Sequence, residues 1–212
     1  IPEALEAGLN FVSEQFPEKP TIEAEDEKVR EFFLSRSDAL RSRPGVPENF
    51  NGKPFEMRDH QMAAIRSWAS NSYNGILELA TGAGKTVTAL YAATRLIEQN
   101  EGMALLVAVP YQDLADQWCK ELAVFNIHAL QCYGSRSDWE DDFKSYINRN
   151  RGQQKEFLAI VVVNKSLKTE HFQDLASQLD PSRLIFIGDE CHHHSSEGYV
   201  GKMLPDTKFR IG

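Results

Sequence analysis

Apolar side chains recur at Ile1, Leu5, Leu9, Val12 and Phe16, the three-and-four spacing of one helix face. Pro17 and Pro20 end that helix. A second helical pattern covers residues 22–40, with Val29, Phe33 and Leu40 as its inner positions. Glu23, Glu25, Asp26 and Glu27 occupy its first turns, where carboxylates complement the helix dipole. Two clusters of turn formers follow, Arg43-Pro44-Gly45-Val46-Pro47 and Asn51-Gly52-Lys53-Pro54, and read as a loop or linker. The pattern predicts a small helical appendage with its linker over residues 1–50 and a main domain over residues 51–212.

Beyond Arg58 the periodicity switches back and forth. Met62, Ile65, Trp68 and Ala69 mark a helix that ends before Asn74-Gly75. Strands are expected over residues 75–80, 104–110, 128–133, 157–163 and 184–188, and a sixth begins at Lys208. Helices are expected over residues 85–99, 112–124, 137–148 and 170–179, and residues 148–156 are polar enough for an exposed loop. The 157–163 run is the richest in β-branched residues, as suits a strand covered on both faces. Strands alternating with helices imply an α/β domain with a mainly parallel sheet and helices on both faces.

Two strand ends carry chemistry. Ala80-Thr81-Gly82-Ala83-Gly84-Lys85-Thr86 joins a strand to a helix. Gly82 and Gly84 permit positive φ, so successive backbone N–H groups can face an anion, and the helix N-terminus adds its unsatisfied amides. Lys85 supplies a full charge for terminal phosphates, and Thr86 a hydroxyl for Mg²⁺. The 184–188 strand ends in Asp189-Glu190-Cys191-His192, at the edge where open α/β sheets place their ligands. Asp189 suits Mg²⁺ through water, and Glu190 suits activation of an attacking water. These residues predict catalytic roles for Lys85, Asp189 and Glu190, and a site for a nucleoside triphosphate, ATP, with Mg²⁺. His192, His193 and His194 are consecutive and cannot all face one tetrahedral metal, so they read as a coupling loop.

The formal net charge is -8, and the first fifty residues, with 6 basic and 11 acidic side chains, contribute -5 of it. A broad electrostatic grip on nucleic acid is therefore excluded, and any such site must be a local groove. No apolar run approaches the roughly 20 residues of a membrane span, and no signal-peptide pattern opens the chain. Cys119, Cys132 and Cys191 form no C-x-x-C pair, which fits a reducing cytoplasm.

In this order the motifs over residues 55–212 resemble the first RecA-like motor domain of superfamily two DExD/H-box helicases and translocases. Phe55-Glu56-Met57-Arg58-Asp59-His60-Gln61 is similar to the family's Q motif, residues 80–86 to motif I, and residues 189–192 to motif II in its DExH form. The resemblance implies that Gln61 reads the adenine edge; Arg58 is either an adenine-side contact or a surface charge. Pro110, Tyr111 and Gln112 open a stretch similar to motif Ia, and Asn164, Lys165 and Ser166 lie where motif Ic often falls. In relatives both segments contact the nucleic-acid backbone, positioning without reading sequence, although 164–166 could equally cap the next helix.

Leu79 departs from the small residue of the general motif I pattern. That departure, with Pro110, Gln117-Trp118 and the extra histidines, looks closest to the group of type III restriction subunits and double-strand DNA translocases. DNA is thus expected over RNA, in a restriction or phage-defence setting. The resemblance further implies a second RecA-like domain, expected beyond Gly212, that would complete the active site. A P-loop regulatory module without motor activity is the alternative.

Overall fold

The computed structural model describes residues 43–50, 52–80, 82–151, 156–190 and 207–212. The two helices expected before residue 43, Thr81 and the histidine run lie outside the described residues.

The long apolar runs form the centre of a six-stranded parallel sheet. β4 (Ala104–Val109), β6 (Leu158–Val163) and β7 (Leu184–Gly188) are buried along nearly their whole length, as strands covered on both faces must be. β3 (Asn74–Gly75), β8 (Phe209–Ile211) and β5 (Leu130–Cys132) complete the order β3-β8-β7-β4-β6-β5. Alternate side chains divide between two cores. Leu105, Val107, Val161, Ile185 and Ile187 pack on one face with α1 (Asp59–Ser70), α2 (Lys85–Gln99) and α3 (Gln112–Val124). Leu106, Ala108, Ile160, Val162 and Phe186 face the other way, with α4 (Glu140–Arg151) and α6 (Glu170–Ala176). There Trp139, Phe143 and Phe172 form an aromatic cluster with centroids 5.5–6.5 Å apart.

Several expectations need correction. Regular strand geometry ends at Gly75 rather than at Ala80. β3 has one neighbour, and its ladder reaches only Leu77 N–H on Gly212 O, at 2.8 Å. Glu78 N–H and Leu79 N–H then turn back to Ile76 O and Leu77 O, local bonds that replace a strand partner. α4 runs on to Arg151, into the segment expected as exposed loop. The buried Asn150 holds it there, its Nδ2 donating to Glu156 O at 2.7 Å and to Gly102 O at 3.3 Å.

Residues 43–50, expected to be linker, belong to the compact unit Ser42–Gly212. Gly45 N–H donates to Phe125 O at 3.0 Å, and Asn126 Nδ2 to Arg43 O at 3.0 Å. β1 (Asn49–Phe50) and β2 (Lys53–Pro54) pair antiparallel. Phe55 then stacks on Tyr91 and meets Phe50 and Phe125 edge-on. Among the described residues no helix is long and apolar enough to cross a membrane.

α4 has acids in its first turn and arginines in its last, matching the dipole. Its Glu140 accepts from Lys144 at 2.6 Å and pairs with Arg136 at 2.9 Å. The Lys144 hydrogen bond and then the Arg136 charge hold this carboxyl below its usual range. A carboxyl lowered on folding adds stability above its unfolded pKa and loses it as pH falls through the folded value. Glu140→Gln should therefore lower the thermal midpoint slightly at neutral pH. The difference from wild type should close in acid, below the ordinary carboxylate range, as followed by circular dichroism melts across pH.

Candidate functional site

Register builds the site. In the parallel ladders Val109 lies opposite Val163, and Ala108 opposite Gly188. The segments that follow, 110–112, 164–166 and 189–190, therefore emerge side by side at the carboxyl edge of the sheet. β8 lies between β3 and β7, so the strand leading to the Gly-rich loop stands two inter-strand spacings, about 10 Å, from the acidic strand. The resulting cleft of about 480 Å³ is lined by Lys85, Thr86, Asp189 and Glu190, with Leu77, Leu79, Ala89, Trp118 and Ile187 among its walls.

The loop has the backbone expected of an anion cradle. Gly82 and Gly84 take φ of +79° and +87°, which L side chains resist. Gly84 caps α2, and Lys85 and Thr86 are its first residues. Not every amide faces the cradle, because Ala83 N–H bonds back to Ala80 O at 3.0 Å. Gly84 O accepts from Thr88 through both N–H and Oγ1, at 2.9 and 2.8 Å, fixing the first turn.

Gln61 is buried, 5% exposed, with its amide directed into this loop. Nε2 donates to Ala83 O and Gly84 O at 3.3 Å each, and Oε1 accepts from Arg58 N–H at 2.9 Å. The side chain expected at an adenine edge thus braces the Gly-rich loop against the start of α1. His60 Nε2 also lies 3.3 Å from Ala83 O. Arg58 is exposed at the N-cap of α1 and does not line the cleft.

Asp189 is held on three sides. Its N–H donates to Ala108 O at 2.9 Å, its Oδ1 accepts from Glu190 N–H at 3.0 Å, and its Oδ2 accepts from Trp118 Nε1 at 2.8 Å. Glu190 has a left-handed backbone, φ 50°, as do Ser72, Tyr73 and Asn126 away from the cleft. Trp118 belongs to the core cluster on this face of the sheet. It is buried, but its indole also reaches Asp189. The available signal was that a buried indole N–H requires an acceptor; which acceptor depends on β4 lying beside β7.

At the neighbouring edge Tyr111 is 59% exposed and caps α3, and Gln112 is exposed behind Pro110. Asn164 is buried, Lys165 is exposed, and Ser166 is between the two. These three residues belong to the short helix α5 (Asn164–Leu167) and do not cap α6 with their side chains. Thr169 does so, its Oγ1 accepting from Phe172 N–H at 3.3 Å.

The donor set fits a hard cation shared with phosphate. Among the described residues no cluster of three or more His, Cys, Asp or Glu could hold a metal by itself. The cleft instead offers one hydroxyl, Thr86, and three carboxylates, Glu78, Asp189 and Glu190, of which Asp189 is held in place by the Trp118 indole. Mg²⁺ commonly binds through one or two such ligands plus substrate phosphates and water.

Comparison with solved structures supports the fold. The chain is similar to the UvsW helicase from bacteriophage T4, with a TM-score of 0.53 and 16% identity, over 97% of this chain and 68% of that one. It is also similar to a nuclease-deletion mutant of the Type ISP restriction-modification enzyme LlaGI, in complex with a DNA substrate mimic. That likeness has a TM-score of 0.55 and 17% identity, over 74% of this chain and 17% of that one. At such identities the fold alone is shared, and it is the RecA-like α/β fold.

In sequence the chain is similar to the DNA 3'-5' translocase XPB2 of Sulfurisphaera tokodaii, 27% identical over 187 residues, which is 87% of this chain and 36% of that protein. It spans about a third of the length of the curated relatives it matches, 36% and 28% for the first two. Residues 54–211 match the family described as type III restriction enzyme, res subunit. With Lys85 and Thr86 and the acidic strand end lining one cleft, and three quarters of the chain matched, the chain belongs to the type III restriction enzyme res subunit family.

Proposed function

We propose that this chain is the ATP-binding lobe of a nucleic-acid helicase or translocase, acting on DNA in a restriction or phage-defence setting. The observation that carries the reading is the meeting of Lys85 and Thr86 with Asp189 and Glu190 in one cleft, beside the aligned segments 110–112 and 164–166. Lys85 and the α2 N-terminus would hold the β- and γ-phosphates, and Thr86 and Asp189 would hold Mg²⁺, which when bound would supply neutralisation of phosphate charge. Glu190 accepts the proton of the attacking water.

Gln61 sets the loop that carries Ala83 and Gly84. Tyr111, Gln112, Lys165 and Ser166 form the edge along which a nucleic-acid backbone runs, with Asn164 buried behind it. DNA is preferred over RNA because similar proteins include a DNA translocase and an enzyme solved with a DNA mimic. The partner that the family resemblance implies is a second RecA-like domain of the same polypeptide, working in the cytoplasm.

The test is equilibrium binding of Mg·ATP to this chain, together with DNA-stimulated hydrolysis by the full-length polypeptide. Lys85→Ala should weaken Mg·ATP binding about tenfold, the loss of one charge-assisted contact worth about 1.5 kcal/mol. Turnover indifferent to DNA, with binding intact, would favour a regulatory ATP-binding module instead.

A further inference from the structure

Two tryptophans on the same face of the sheet spend their indole N–H differently. Trp68, on α1, donates to a backbone carbonyl, Arg210 O, at 2.6 Å. Trp118, on α3, donates to a side-chain carboxylate, Asp189 Oδ2, at 2.8 Å. Both rings are buried and belong to one core cluster, which also holds Ala115, Leu122 and Ile187. Core filling therefore sets where each ring lies, and a main-chain carbonyl is acceptor enough for such a ring, as Trp68 demonstrates. The Trp118 bond instead ends on the carboxylate at the floor of the cleft.

That bond has a geometric consequence. A carboxylate offers about four lone-pair directions. Here Glu190 N–H takes one on Oδ1, and Trp118 Nε1–H takes one on Oδ2. The remaining directions are left for ligands, and the group cannot rotate without breaking both bonds. Trp118 is 4% exposed, so its N–H is a stationary donor, and a hydrogen bond to an ionised acceptor is the stronger kind.

We propose that Trp118 is a positioning residue, holding the Asp189 carboxylate in the orientation that receives hydrated Mg²⁺ together with a nucleotide. The inference rests on the reading of the cleft given above. Partners one step removed from a metal typically change its affinity 10–100-fold when lost. Binding of Mg²⁺ through water places the effect at the lower end, about tenfold.

The experiment titrates Mg²⁺ against this chain with a fluorescent ATP analogue and repeats the nucleotide titration in EDTA. Trp118→Phe should raise the half-saturating Mg²⁺ concentration about tenfold, with affinity in EDTA and the thermal midpoint little changed. Because the smaller ring can loosen the core, a second variant carries benzothienylalanine at position 118, which keeps the shape and lacks the N–H. It should show the same Mg²⁺ shift. In an Asp189→Asn background neither replacement should add a further shift. Unchanged Mg²⁺ dependence with benzothienylalanine, or an equal loss with and without Mg²⁺, overturns the positioning role alone. Absence of Mg²⁺-dependent nucleotide uptake by the wild-type chain overturns the reading of the cleft, and this inference with it.

Discussion

Glu190→Gln in the full-length protein is expected to cut DNA-stimulated ATP turnover by about 10²–10⁴-fold, the usual contribution of a positioned general base. Nucleotide and Mg²⁺ uptake should survive nearly intact. The substitution keeps the shape of the side chain and removes its proton affinity. Glu190 lines the cleft beside Asp189, so its loss as a base should not disturb the phosphate loop, which rises from the far side of β8. Its left-handed φ of 50° is no harder for Gln to adopt than for Glu. Single-turnover hydrolysis alongside equilibrium binding separates the outcomes. Turnover that persists in the variant assigns the base elsewhere; binding and turnover lost in parallel make Glu190 a structural residue.

Gly84→Ala is expected to weaken Mg·nucleotide binding by between about 10- and 100-fold, through the loop and not through any lost charge. Two costs coincide at this position. An L side chain at φ +87° costs about 1–3 kcal/mol. The new methyl would also lie 2.6 Å from Gln61 Nε2, a contact no real Cβ tolerates, so the glutamine must leave Ala83 O and Gly84 O. Pairing Gly84→Ala with Gln61→Ala isolates the second cost. If the clash matters, removing the Gln61 side chain restores part of the binding, and the two losses are less than additive. Full additivity, measured by calorimetric titration, would leave backbone strain as the whole effect.

Most of the central sheet was legible because burial on both faces writes itself into contiguous sequence. The runs that became β4, β6 and β7 hold almost nothing but apolar residues, and no other element of their length tolerates that composition. The edges were less legible. β3 and β5 each have one neighbour, and a strand with one neighbour can stop wherever local bonds suffice, as residues 76–79 do. Residues 43–54 have the Pro and Gly content of a linker. They nonetheless dock through the Gly45 N–H on Phe125 O, the Asn126 amide on Arg43 O and the Phe50 ring on Phe55, which no local pattern encodes.

Within the candidate site the same division holds. Gly82, Gly84, Lys85, Thr86, Asp189 and Glu190 could be named as candidates from sequence, because a phosphate cradle and a metal carboxylate would need those residue types at strand ends, and four of them line one cleft. Local chemistry, apolar runs and turn residues act over a few positions, and these the amino-acid order determined by itself: element types, an α/β class, and the two motifs. Only the tertiary structure decided that β8 enters between β3 and β7, that Gln61 turns its amide onto the phosphate loop, and that the Trp118 indole meets Asp189. Each of these joins residues at least 22 positions apart. Such a contact follows from strand order and register, which the whole chain sets together when its two cores are buried.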